Sequence, residues 1–92
     1  MAKKKNKQER QDRLIRFRQE ILPDLEQYYD IQAHGPANAP ATMYKIIITA
    51  TKSYDYYPMG EKMRVNINDE FTWRDFSIDE MSAKVEHLRL VR

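Results

Sequence analysis

The chain has 92 residues, of which 33% are charged and 41% apolar, and its formal net charge is +2. This length allows one small domain. No apolar run approaches the roughly 18 residues of a membrane-spanning helix, and no apolar stretch follows the Lys-rich start as in a secretory signal peptide. We therefore expect a cytoplasmic protein with no membrane partner. The absence of cysteine excludes disulfides, thiolate metal sites and a cysteine nucleophile.

Charge is distributed unevenly along the chain. Residues 1–18 carry eight basic and two acidic side chains, whereas residues 19–92 carry eight basic and twelve acidic ones. Residues 1–7 are predicted to be a disordered basic tip, and a basic arm on an acidic body indicates an electrostatic partner. Nucleic-acid phosphate, an acidic protein partner and plain solvation all remain open for this arm. The contacts to nucleic acid or to an acidic partner would come from Lys3, Lys4, Lys5, Lys7, Arg10 and Arg13.

Residues 8–31 are predicted to be helical. Apolar side chains recur there every three or four residues and form one stripe, which consists of Leu14, Phe17, Ile21 and Leu25. Pro23 lacks a backbone donor and disfavours helical geometry before it. The helix therefore either kinks at Pro23 or ends at Leu22 and is followed by a short second helix. Residues 32–42, rich in proline and alanine, are predicted to be a linker loop.

Residues 43–92 are predicted to form a β-hairpin and a C-terminal helix. Residues 43–52 are rich in β-branched side chains, and residues 53–57 continue this extended stretch. Pro58 and Gly60 form a turn. Residues 62–68 alternate in polarity, which places Met63, Val65 and Ile67 on the face that packs against the last helix. Residues 71–73 add a third short strand if the sheet has three strands.

The C-terminal helix has a clear start in the sequence. Ser77 and Glu80 have the spacing of a capping box, and the apolar stripe that follows consists of Ile78, Met81, Val85 and Leu88. We therefore expect a single small α+β domain. Its antiparallel β-hairpin or three-stranded sheet is packed by an N-terminal basic helix, kinked or ended at Pro23, and by a C-terminal helix.

A cluster of tyrosines beside cations is the main candidate binding feature. Tyr54, Tyr56 and Tyr57 lie close to Lys52 along the chain and to Arg64 across the hairpin. Tyrosine and arginine dominate the hot spots of protein interfaces, and aromatic rings near cations also stack on single-stranded bases. A buried aromatic ladder is the third interpretation. Alternation places Tyr54 and Tyr56 on one face of the strand and Tyr57 on the other.

No catalytic or metal site is predicted. His34 and His87 have no ligand spacing, and nucleophile, P-loop and dinucleotide motifs are absent, so we expect no cofactor and no enzyme activity. Trp73 is assigned to the core beneath the last helix, with an exposed aromatic anchor beside Arg74 as the alternative.

One part of the chain resembles a known kind of protein. The segment Tyr54-Asp55-Tyr56-Tyr57-Pro58, the strand at residues 62–68 and Trp73 resemble a strand, Tyr-Pro turn, strand and tryptophan pattern of small phage and prophage accessory proteins. The resemblance covers about a third of the chain. It implies a small protein that binds and inhibits or redirects a host protein, and it implies no catalytic residues.

Three functions remain open at this point. The first is a non-catalytic binding protein that occludes a host protein, which could itself handle nucleic acid. Its anchors would be Tyr54, Tyr56, Tyr57 and Arg64, and its basic helix would speed association. The second is a nucleic-acid-binding module that uses the basic arm. The third is a structural homo-oligomer, such as a homodimer, in which the stripe that begins at Leu14 forms a helix–helix seam.

Overall fold

The computed structural model of the chain describes residues 7–37, 39 and 41–90. Helices from both ends of the chain pack on a five-stranded antiparallel sheet, which confirms the expected small α+β domain. The elements are α1 (Lys7–Arg16), a π-helical turn (Phe17–Ile21), α2 (Leu22–Leu25), β1 (Asp30–His34), β2 (Met43–Thr49), β3 (Lys52–Tyr57), β4 (Lys62–Ile67), β5 (Glu70–Asp75) and α3 (Ile78–Leu90).

The sheet has five strands rather than the two or three predicted, and their spatial order is the order of the chain. Strand β1 occupies residues that the sequence assigned to the end of the helical region and to the start of the linker loop. Gln32, Ala33 and His34 have little intrinsic preference for strands. They are extended because β2 offers a free edge, on which Ile31 lies opposite Ile46.

The long extended stretch predicted from residue 43 to residue 57 is two strands, β2 and β3, which pair with each other. The chain reverses at Ala50 and Thr51, which are not typical turn residues. The backbone N–H of Thr51 donates to the hydroxyl of Thr49 at 3.2 Å. A threonine side chain therefore supplies the acceptor for this turn.

The N-terminal helix passes through Pro23 and ends at Leu25, earlier than the predicted residue 31. The N–H of Leu22 donates to the carbonyl of Phe17, five residues earlier, so one wide π-turn precedes the proline. In a regular α-helix a proline ring clashes with the carbonyl four residues before it. Here α2 follows the π-turn directly and contains Pro23 in its first turn, so the proline accompanies an interruption of the helical region rather than its end.

The core lies between the helices and one face of the sheet. The helical stripe predicted from the sequence is buried there against Tyr44, Tyr56 and Met63. The ring centroid of Phe17 is 4.9 Å from that of Tyr44 and 5.4 Å from that of Tyr56. The hydroxyl of Tyr56 donates to the carbonyl of Phe76 at 2.8 Å, and burial raises the pKa of Tyr56 above its ordinary value.

The C-terminal helix packs on the face that the sequence assigned to it. Met63 is buried and Val65 packs against the same core, whereas Ile67 lies 44% exposed. The capping box forms as predicted: the N–H of Glu80 donates to the hydroxyl of Ser77 at 3.0 Å, and the N–H of Ser77 donates to the carboxylate of Glu80 at 2.8 Å.

The turn between β3 and β4 fastens both helices to the sheet. Arg13 in α1 donates two hydrogen bonds to the carbonyl of Met59, at 3.1 and 2.7 Å. Glu61 accepts a hydrogen bond from the N–H of Ile78 at the start of α3, at 2.8 Å. The Glu61 carboxylate also lies 3.7 Å from Arg13. The sheet is therefore held against its helices on one side, and its other side faces outward.

Candidate functional site

The candidate site is the sheet face opposite the helices, which we call the open face. Residues directly opposite each other on neighbouring strands share a face, so the strand register identifies its members. They are Asp30, Gln32 and His34 on β1, Met43, Lys45 and Ile47 on β2, Ser53, Asp55 and Tyr57 on β3, Lys62, Arg64 and Asn66 on β4, and Phe71, Trp73 and Asp75 on β5. None of the described helices packs on this face.

A buried carboxylate lies in the middle of the open face. Asp55 is only 1% exposed, because longer side chains on both neighbouring strands cover it. Its Oδ2 accepts hydrogen bonds from Nε of Arg64 at 3.1 Å and from Nδ2 of Asn66 at 3.2 Å, and Nη2 of Arg64 lies 3.0 Å away. Its Oδ1 has no hydrogen-bond partner among the described residues and lies 3.6 Å from the ammonium group of Lys45. Asp55 therefore holds two cations in place.

Aromatic rings surround the guanidinium group that Asp55 holds. The guanidinium carbon of Arg64 lies 4.8 Å from the ring centroid of Phe71 and 5.9 Å from that of Trp73. The Trp73 ring lies in turn 5.6 Å from that of Tyr57. Phe71 is 58% exposed and Trp73 is 50% exposed. We call Tyr57, Arg64, Phe71 and Trp73 the aromatic row. Its three rings and one cation face outward in a fixed arrangement.

A groove of about 400 Å³ opens at one end of the aromatic row. Tyr57 and Trp73 line it together with Thr42, Met59, Gly60, Arg10 and Lys62. The ammonium group of Lys62 is 2.6 Å from the carboxylate of Asp75, so its charge is balanced. Arg10 makes no ion pair with the described residues. Among the described residues, the groove therefore combines an apolar lining with one cation that has no ion-pair partner.

The structure brings together three of the predicted site residues, Tyr57, Arg64 and Arg10. It does not bring Tyr54 or Tyr56 to this surface. Tyr56 is completely buried, and Tyr54 is half-buried on the helix-covered face. Neither can act as the anchor that was predicted, because strand alternation turns both rings toward the helices.

The predicted basic contacts are also divided. Arg13 is occupied by the carbonyl of Met59, so its role is to fix the helix to the sheet. Lys7 lies exposed at the start of α1. The remaining predicted contacts, Lys3, Lys4 and Lys5, lie outside the described residues.

Sequence reasoning missed two residues of the site, Asp55 and Phe71, and named Trp73 as exposed only in its alternative. The assignment of Trp73 to the core was wrong, and the exposed-anchor alternative describes its position correctly. One pattern in the sequence groups the two rings. Large rings at positions 71 and 73 alternate with polar residues, which places both on the same side of a strand without stating whether the helices cover that side.

The chain matches no protein-family model, and no curated protein or solved structure was found to match it. Within the described ranges, no helix has the length and apolar character needed to cross a membrane. The described histidine, aspartate and glutamate residues form no group of three or more that could hold a metal ion.

Proposed function

We propose that this chain is a non-catalytic binding protein that uses the aromatic row to cover a surface of a protein partner. One observation carries the proposal. Arg64 donates a hydrogen bond to the buried carboxylate of Asp55, while its guanidinium group lies against two exposed rings, Phe71 and Trp73. Tryptophan, tyrosine and arginine are the residues enriched in the hot spots of protein interfaces. In its more specific form, the proposal is that the chain is a phage-type accessory protein whose partner is a host protein.

The fixed arrangement of Arg64 favours tight binding. Ordering a flexible side chain at an interface costs about 0.5–1.5 kcal/mol. Arg64 is already ordered by Asp55 and by stacking, so that cost falls on folding rather than on association. The exposed rings beside it bury apolar area when a partner covers them.

The balance of charge on the open face supports a protein partner over nucleic acid. Lys45 and Arg64 share the carboxylate of Asp55, and Lys62 is paired with Asp75. A single-strand binder needs a positively charged groove along the stacked bases. Most of the cations of α1 belong to the layer on the other side of the sheet, where they cannot lie beside bases on the aromatic row.

A nucleic-acid module remains the second candidate, and one observation favours it. Arg10 lines the same groove as the rings of Tyr57 and Trp73, which places one phosphate-binding group next to two stacking surfaces. This candidate predicts direct binding of single-stranded DNA or RNA that weakens steeply with salt.

Two substitutions and two matched controls test the proposal. Trp73→Ala and Arg64→Ala remove members of the aromatic row. Ile15→Ala and Arg18→Ala remove an exposed apolar and an exposed basic side chain on the helical layer. All four proteins are immobilised, and host proteins retained by each are quantified by mass spectrometry. A partner is then purified and its affinity is measured.

The proposal predicts a partner that both controls retain and that both row variants lose, with affinity reduced by about 30-fold or more for a hot-spot residue. Fluorescence anisotropy with labelled single- and double-stranded DNA and RNA is run at low and high salt. Salt-sensitive binding that requires Arg10 and Trp73 would replace the protein-binding proposal by the second candidate. A partner that all four variants retain equally would refute any role of the open face.

A further inference from the structure

Strand β5 is an open edge of the sheet. It is the last strand in the spatial order, and all six of its residues are exposed. Its register with β4 is regular throughout. Proteins usually protect such an edge with charged side chains, especially lysine, or with proline, a bulge or a covering segment. Strand β5 has no lysine and no proline, and its charged residues are Glu70, Arg74 and Asp75. The backbone groups along such an edge can pair with another strand.

The backbone groups that β5 offers can be identified from the ladder. The N–H of Phe76 donates to the carbonyl of Glu61, and hydrogen-bonded positions alternate along an antiparallel pair. Even-numbered residues of β5 therefore bond to β4, whereas the N–H and C=O groups of Phe71, Trp73 and Asp75 point away from it. Within the described part of the chain, these outward groups have no backbone partner.

Residues 70–74 of β5 are complementary to themselves when two copies run antiparallel around Thr72, whereas Asp75 falls opposite Asp69 in the turn of the other copy. In that register Phe71 of each copy lies opposite Trp73 of the other, and Glu70 lies opposite Arg74. Both aromatic pairs fall on the open face, and both pairs of opposite charge fall on the other face. Glu70 and Arg74 form no ion pair with the described residues of their own chain, so both are available.

The hydrogen-bonding pattern agrees with this register. Phe71 and Trp73 are two of the residues whose backbone groups point outward. Phe71 of one copy lies opposite Trp73 of the other, so each such pair exchanges two hydrogen bonds. Cross-strand aromatic pairs and opposite charges stabilise antiparallel strands, whereas like charges destabilise them. A contact in which one strand meets its own copy is the two-fold symmetric kind that closes as a dimer.

We propose that two copies of this chain associate through β5 in this register and form one continuous ten-stranded sheet. The two aromatic rows then lie side by side on one open face. This inference rests on the edge strand and not on the proposed function, since it holds whether or not a partner binds the open face. The surface predicted for a helix–helix seam plays no part, because that stripe is buried inside each copy.

Chemical cross-linking tests the register. Two Thr72 residues would face each other at a position without backbone hydrogen bonds, with Cα atoms about 4.5 Å apart, which lies within the range that a disulfide spans. The chain has no cysteine, so Thr72→Cys introduces the single thiol. Under mild oxidation we expect this variant to form a covalent dimer efficiently. Ala83→Cys, exposed on α3, is the matched control and should form little.

Charge reversal tests the same contact in solution without a cross-link. Sedimentation measurements should show that the unmodified protein dimerises more as its concentration rises. We expect Glu70→Arg and Arg74→Glu each to weaken the dimer about tenfold, because each creates two pairs of like charge. An equimolar mixture of the two variants should restore the original affinity, since the mixed dimer again places opposite charges face to face. Circular dichroism establishes that each variant is folded.

Three results would overturn the proposal. The first is a protein that stays monomeric at the highest concentration that sedimentation can measure. The second is Thr72→Cys that cross-links no better than the Ala83→Cys control. The third is a dimer that both charge reversals leave unchanged, which would place the contact elsewhere. A monomer that recruits an extended peptide onto β5 would instead show that the edge serves a different protein.

Discussion

Replacing Asp55 with alanine should lower the free energy of unfolding by about 2 kcal/mol. The carboxylate accepts hydrogen bonds from Arg64 and Asn66 and lies next to Lys45. Removing one member of a fully buried ion pair costs about 3–5 kcal/mol, because the charge left behind stays unsolvated. The side chains of Lys45 and Arg64 are each 35% exposed, so both can recover water. That recovery reduces the expected loss.

Urea denaturation followed by far-ultraviolet circular dichroism measures this loss. Tryptophan fluorescence is less suitable, since the single Trp73 belongs to the site that is perturbed. A loss of 2 kcal/mol corresponds to a fall in Tm of roughly 8–16 °C for a domain of this size. Asp75→Ala is the matched control, because its carboxylate is also ion-paired but is 84% exposed. We expect that control to stay within about 0.5 kcal/mol of the original protein.

The result also bears on the binding proposal. If the Asp55 variant is as stable as the original protein or more stable, the cost of burying the carboxylate cancels its contacts. Arg64 would then gain nothing from Asp55, and the reasoning that the aromatic row is fixed before binding would be refuted. If stability falls as expected, the same variant should also bind the partner more weakly although every exposed ring is intact.

Three further predictions concern the folded state. Tyr56→Phe deletes the hydrogen bond to the carbonyl of Phe76 and should cost about 1 kcal/mol at neutral pH. Since burial raises the pKa of Tyr56 above its ordinary 10.0, stability should be complete below about pH 10 and fall as the pH rises further, more steeply in the original protein than in this variant. Ser77→Ala removes the cap of α3 and should cost about 1 kcal/mol by urea titration, a loss that Ser77→Thr should largely avoid. Asp69→Gly should instead increase the free energy of unfolding by up to about 1 kcal/mol, because φ is positive at both turn residues, Asn68 and Asp69. Tm should rise accordingly, and a lower Tm would contradict the assigned turn.

Local chemistry made part of the fold predictable. The capping box at Ser77 and the alternation around Val65 each depend on residues close together in the chain, so the last helix and β4 could be predicted. The turn at Ala50 could not, since its acceptor is a threonine hydroxyl and no glycine, proline or asparagine marks it. Strand β1 could not either, because Gln32 and its neighbours become extended only when they meet the edge of β2.

The candidate site was only half predictable for a related reason. Alternation correctly separated Tyr56 from Tyr57, but it does not state which face the helices cover. That choice depends on the helical stripe docking on the side of Tyr56, a tertiary event. The expectation that a tryptophan is buried then misplaced Trp73, because its strand position turns the ring to the open face rather than to the face that the helices cover.

The unbroken spatial order of the strands has a consequence for how the chain folds. Every strand pairs with its neighbour along the chain, so the whole sheet can form by closing short loops, which cost little entropy. The ion pair between Arg16 and Asp79, at 2.9 Å, joins residues 63 apart in the chain and links α1 to α3 on the same face of the sheet. We therefore expect a rapidly formed meander that becomes cooperative only when the first helix docks. Substitutions at Phe17 should then mainly slow folding if that docking forms the transition state, and mainly speed unfolding if it follows it.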